Sequence, residues 1–121
     1  MTQTAKALYD FWSGFGIPAY ADDAVPDNAQ MPYITYELQF PDWRQEVACS
    51  ARLWYRSRSF VGISAKLDQI CQVIDPGASV KTTSGSVKIF WDDNKIQFQP
   101  YDIDPDVKVA YMRVIVAAHT Y

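Results

Sequence analysis

Between Ala51 and Ile74 the chain changes its hydrophobic period, and that change constrains the fold more than any other feature. Up to Arg56 apolar residues alternate with polar ones, as in a strand with one buried face; from Phe60 they recur every three or four residues, as on one side of a helix. A chain that moves from one period to the other across Arg56-Ser57-Arg58-Ser59 must dock a helix on the sheet it has just left.

The strand half puts Val47, Cys49, Ala51, Leu53 and Tyr55 on one face and Ser50, Arg52, Trp54 and Arg56 on the other, over about 44–55. A preceding strand alternates Ile34, Tyr36, Leu38 and Phe40 with Tyr33, Thr35, Glu37 and Gln39; Pro41-Asp42 closes it, and the short link predicts an antiparallel hairpin. In the helical half Phe60, Ile63, Leu67, Ile70, Cys71 and Ile74 form one stripe, with Ser57 or Ser59 as N-cap and Asp75-Pro76-Gly77 as the stop. Lys66, Asp68, Gln69 and Gln72 fall mainly outside it.

Upstream, Ala5, Leu8, Tyr9, Trp12 and Phe15 predict a first helix, capped by Thr2 or Thr4 and ended by Gly14, Gly16 and Pro18. Residues 17–32 carry three prolines and three aspartates with no helical period, which predicts an extended surface loop. Downstream, strands are expected over 87–91, over 95–101 after an Asp92-Asp93-Asn94 turn, and over 107–118; residues 79–86 read as a weak edge strand or a loop.

The expected order is α-β-β-α-β-β-β. It implies a single α+β domain, a two-layer sandwich with an antiparallel sheet of four to five strands and two helices on one face. A chain of 121 residues, 49% of them hydrophobic, has material for one core. No apolar run approaches the ~20 residues of a membrane span, and the opening MTQTAKALYDFW lacks the basic start and apolar core of a signal peptide, which predicts a cytosolic protein without membrane contact. In that compartment Cys49 and Cys71 are expected as buried thiols.

Candidate chemistry is thin. Asp102, Asp104 and Asp106 resemble the first ligands of a calcium loop, but Val107 stands where the turn glycine belongs and Arg113 where the bidentate Glu belongs. This excludes an EF-hand and leaves a solvated turn or an irregular divalent site. Asp22, Asp23 and Asp27 share a loop without a partner legible in sequence, and His119 stands alone near the end of the last strand with no nucleophile elbow elsewhere. No enzyme, metal or cofactor is expected.

Charge is distributed unevenly. A net charge of -3 argues against a protein that holds nucleic acid by neutralising phosphates. Between Arg44 and Lys66, however, five basic residues meet only Glu46, while five acids from Asp92 to Asp106 meet only Lys95. Such a subunit can associate head to tail, with Arg52, Trp54, Arg56 and Arg58 against a complementary acidic patch of Asp102, Asp104 and Asp106. The alternative is an ordinary charged surface whose arginine stems cover a tryptophan.

Pro32-Tyr-Ile-Thr-Tyr36, then Leu53-Trp-Tyr-Arg-Ser-Arg-Ser59 leading into the second helix, and a long last strand ending His119-Thr-Tyr121 together resemble the small tail terminator, or tail completion, proteins of long-tailed bacteriophages. The resemblance implies an α+β subunit of a six-membered ring that caps the tail tube, stops its polymerisation and offers a surface to the head-tail connector protein. Its partners would be copies of itself, the tail tube protein and the connector, with DNA passing through the ring without specific binding. It would be assembled in the bacterial cytoplasm and reside in the virion neck. Arg52, Trp54, Arg56 and Arg58 are then expected at subunit or tube contacts. Another phage neck protein, such as a head-closure or connector-adaptor subunit, and a monomeric protein-binding module unrelated to virions are the other readings.

Overall fold

The computed structural model describes residues 2–37, 46–83, 85–100 and 103–120, apart from the side chains of residues 2–4, 93–95, 99, 100, 119 and 120. It is an α+β fold with the order α1 (Thr2–Ser13), β1 (Ala19–Ala21), β2 (Tyr33–Tyr36), β3 (Glu46–Arg56), α2 (Val61–Ile74), β4 (Ala78–Lys81), β5 (Gly85–Pro100) and β6 (Val107–Thr120). The strands form one sheet in the order β1-β2-β3-β6-β5-β4. All neighbours are antiparallel except β1 and β2, which run parallel.

The sheet therefore departs from the expected four or five antiparallel strands and, since it curls until both margins reach α1, from the expected simple two-layer sandwich. Within the proline-rich stretch, Ala19–Ala21 pairs with Ile34–Tyr36, and Ile34 N donates to Pro18 O at 2.9 Å. Three residues are too few to display a period, so this strand exists through its partner alone. The second departure is β5, a single strand where a turn at Asp92-Asp93-Asn94 was expected. Both halves pair with β6; from Trp91 to Ile96 β5 advances five residues while β6 advances two, from Val114 to Met112. The excess is absorbed as a bulge because the 14 residues of β6 template both halves.

The helices cover one face. Ile63, Leu67, Ile70 and Ile74 of α2 and Ala7, Leu8 and Trp12 of α1 pack with Ile34, Tyr36, Cys49, Ala51, Leu53, Val87, Ile89, Ala110, Met112, Val114 and Val116. This is the stripe and the alternation expected for α2 and β3. In α1 the expected stripe is rotated: Tyr9 is half exposed and Ala7 is buried, since the helix leans on both sheet margins, β1 and β4. Helix α1 begins at Thr2, so Thr4 lies inside it and is not its cap.

Two further expectations need correction. The N-cap position of α2 is Phe60, which makes no side-chain cap bond; Ser57 Oγ accepts Ser59 N at 3.2 Å and orders the corner, and Ser59 Oγ, one residue before the cap, accepts Val61 N at 3.5 Å. Lys66 is more than surface, because its Nζ donates to Phe15 O at 2.9 Å and to Gln69 Oε1 at 3.0 Å, tying α2 to the end of α1. The stop is as expected: Gly77, at φ +87°, donates its N–H to Ile74 O at 2.8 Å. Cys49 is buried and Cys71 partly buried, both as free thiols.

Candidate functional site

The opposite face of the sheet carries the residues that sequence periodicity turned outward. Register builds two rows there. Tyr33, Trp54 and Val109 are neighbours on β2, β3 and β6, and Thr35, Arg52 and Tyr111 form the next row. Tyr20 of β1 joins through its pairing with Thr35.

The side chains of these rows interlock. Tyr20 meets Tyr33 edge to face at 5.8 Å between centroids, and Tyr33 lies 6.2 Å from Trp54 at 30°. The Trp54 indole Nε1 donates to Thr35 Oγ1 at 3.0 Å. Arg52 lays its guanidinium over the Tyr111 ring, 5.0 Å from the centroid. Aromatic pairs of this kind contribute about 0.5–1.5 kcal/mol beyond their buried area, and an exposed cation–π contact about 0.5–1 kcal/mol. The result is a firm, partly exposed surface of rings and one charged edge.

Asp22 closes the row. It follows β1, its N–H donates to Tyr36 O at 2.9 Å, and its carboxylate accepts from the Thr35 hydroxyl. Although Asp22 is accessible, shielding of its carboxyl against the sheet raises its pKa above the ordinary carboxylate value. Arg52 and the Thr35 bond oppose the rise, and Glu37 and Asp23 add to it. The result is a polar relay, Trp54 to Thr35 to Asp22, beside the rings.

At the end of β3 the expected charge arrangement is corrected. Two arginines of the one patch and two aspartates of the other pair within one chain. Arg56 Nη1 meets Asp104 Oδ2 at 2.9 Å and Arg58 Nε meets Asp106 Oδ1 at 2.9 Å, while Ser57 N donates to Asp106 O at 2.5 Å. Asp104 also accepts Asp106 N at 3.0 Å, and the Arg56 bond followed by this one lowers its pKa. The two carboxylates that resembled calcium ligands are thus engaged by arginines. Asp102, the third member, lies outside the described residues, as does the side chain of His119, whose backbone pairs with Ser86 in the last strand.

Beneath this corner, Lys108 is 8% exposed on the core side of β6. Its Nζ donates to Pro105 O at 2.6 Å and stands 5.7 Å from the Phe60 centroid, and Phe60 meets Phe98 edge to face at 5.4 Å. Sequence reasoning placed Arg52, Trp54 and Arg56 on the open face correctly, but it assigned no role to Tyr20, Asp22, Thr35 or Tyr111. The alternation of β2 already turned Tyr33 and Thr35 outward; only strand order could bring Tyr111 beside Arg52.

No protein-family model matches the chain, and no curated protein matches it.

Proposed function

We propose that this chain is a tail terminator subunit of a long-tailed bacteriophage. It would form a ring, a hexamer by the family's pattern, on the finished tail tube, stop tube subunits from adding and present a joining surface to the head connector. The observation that carries the reading is the open sheet face of Tyr33, Trp54, Arg52 and Tyr111, because aromatic and arginine side chains held in register are the groups that dominate protein interfaces. The core supports it too: Cys49, Ala51 and Leu53 of β3 turn toward the helices, which leaves the side of β3 that bears Arg52 and Trp54 to meet a partner. DNA would pass through the ring without specific binding, and the assembled protein would sit in the virion neck.

The pairing of Arg56 and Arg58 within the chain changes which residues carry association. Trp54 and Arg52 become the anchors, while Arg56, Arg58, Asp104 and Asp106 shape the rim as two neutralised pairs. The same neutralisation favours a second reading, a monomeric protein-binding module, since it removes the electrostatic drive for head-to-tail association.

Mixing the protein with growing tail tubes and imaging them tests the proposal. A cap at one end and tubes of fixed length are expected; tubes that continue to grow would sink it. The protein's mass in solution with and without tubes then separates a ring-forming subunit from a module that binds as a monomer.

A further inference from the structure

The two margins of the sheet are finished differently. At β1 the edge is only three residues long, and Ala21 O, one of its outward groups, accepts Ala24 N at 2.9 Å. At β4 it is open. Thr82 N donates to Gly85 O at 2.9 Å, which sets the phase of the ladder: Val80 and Ala78 exchange bonds with Val87 and Ile89. By antiparallel alternation Ser79 and Lys81 then point their N–H and C=O groups away from β5, and no described strand lies beyond them.

The surroundings of that edge have a definite chemistry. Ser79 and Lys81 are exposed, and Lys88, also exposed, is the partner of Ser79 on the same face of the sheet. Neither Lys81 nor Lys88 makes an ion pair with another described residue. On the opposite face Ala78 and Val80 form the margin of the core. A cleft of about 200 Å³ opens between the end of β4 and α1, lined by Lys6, Ala7, Asp10, Lys81, Thr82 and Thr83. Its one acid, Asp10, is already paired with Lys6 at 2.6 Å.

We propose that the β4 edge is a docking site for an extended acidic segment of a partner protein, which adds to the sheet as a further strand. Its backbone would bond Ser79 and Lys81, its carboxylates would lie beside Lys81 and Lys88, and small apolar residues between them would continue the margin formed by Ala78 and Val80. Charge selects the occupant. Pairing β4 with the β4 of a second copy would bring the lysines of both copies onto one strip, the arrangement by which sheet edges resist self-association. The site is separated from β3 by β6 and β5 and does not depend on the terminator reading.

A fluorescein-labelled hexapeptide of alternating Asp and Val, with a Lys-Val hexapeptide as control, tests this. The acidic peptide should bind saturably, and the control should not. Hydrogen exchange at the Ser79 and Lys81 amides should slow about tenfold or more on binding, since both donors pass from water into a ladder. Lys81→Pro removes a donor that β5 does not use, so it should leave the fold intact and abolish binding. Replacing Lys81 and Lys88 by Ala should weaken binding roughly three- to tenfold, the range for two exposed charge contacts. The proposal is overturned if the acidic peptide does not bind, if bound peptide leaves exchange at those two amides unchanged, or if folded Lys81→Pro binds as tightly. Should Lys81→Pro fail to fold, the exchange measurement on the unaltered protein decides alone.

Discussion

Thr35 holds the open face together. It is 5% exposed, accepts the Trp54 indole N–H and donates to Asp22, so it is one of the few buried polar groups among the described residues and both its bonds are used. Thr35→Val keeps the shape but strands the indole donor and removes a partner from Asp22. A loss of about 1–3 kcal/mol in urea unfolding is expected, together with a changed Trp54 fluorescence. The two perturbed aspartates should respond oppositely to acid. Asp104 has a pKa held below its ordinary value of 3.8, so its contribution is present above that value and is lost as pH falls through the folded pKa. Asp22 is raised: the native state takes up the proton first, so the burden of its charge is full above the folded pKa and is relieved as pH falls through it. Relative to the unaltered protein, Asp104→Asn should therefore lose its disadvantage in acid. Asp22→Asn should be the more stable at neutral pH and lose that advantage in acid. Denaturation followed from pH 7 to pH 2 measures both, and matching slopes for the two variants would contradict these assignments.

At the scale of the element, α2 shows why a helix legible in sequence still has positions that only packing explains. Its stripe and its stop follow from local rules, because 3.6-residue periodicity and the left-handed glycine at φ +87° need no distant partner. Gly62 is different. Alanine in a helix is ordinarily about 1 kcal/mol better than glycine, but a Cβ here would stand 3.2 Å from Cε1 of Tyr55, which belongs to the strand before the corner. Gly62→Ala should consequently gain little or nothing in thermal denaturation. Gly77→Ala should cost about 1 kcal/mol although nothing lies within 4 Å, since the penalty there is in the backbone. A full helix-propensity gain at Gly62 would show that Tyr55 moves aside freely. The strands divide likewise. Alternation alone turns Arg52 and Trp54 outward, but the three-residue β1 and the bulge at Trp91/Ile96 depend on β2 and β6 being in place.

For the whole molecule, the decisive contact is between segments nearly fifty residues apart. Arg56–Asp104 and Arg58–Asp106 close the β5–β6 turn onto the β3–α2 corner, so four of the charges that are segregated along the chain are paired in space. Under the proposed terminator role, association should respond accordingly. Arg58→Ala should leave capping of tail tubes almost unchanged, whereas Arg52→Ala, which uncovers Tyr111, should impair it while moving stability by no more than about 1 kcal/mol. Tube capping scored by imaging, beside thermal denaturation, checks the pair, and a larger effect at Arg58 would return the weight to charge. The chain by itself determined its helices, their stops and the two faces of β3, because periodicity and backbone sterics act over a few residues. Strand order, the parallel β1, the unbroken β5, the open β4 edge and the pairing of arginines with aspartates were decided only in three dimensions. Each of these requires two distant segments to meet, and no local pattern records which partner a segment will find.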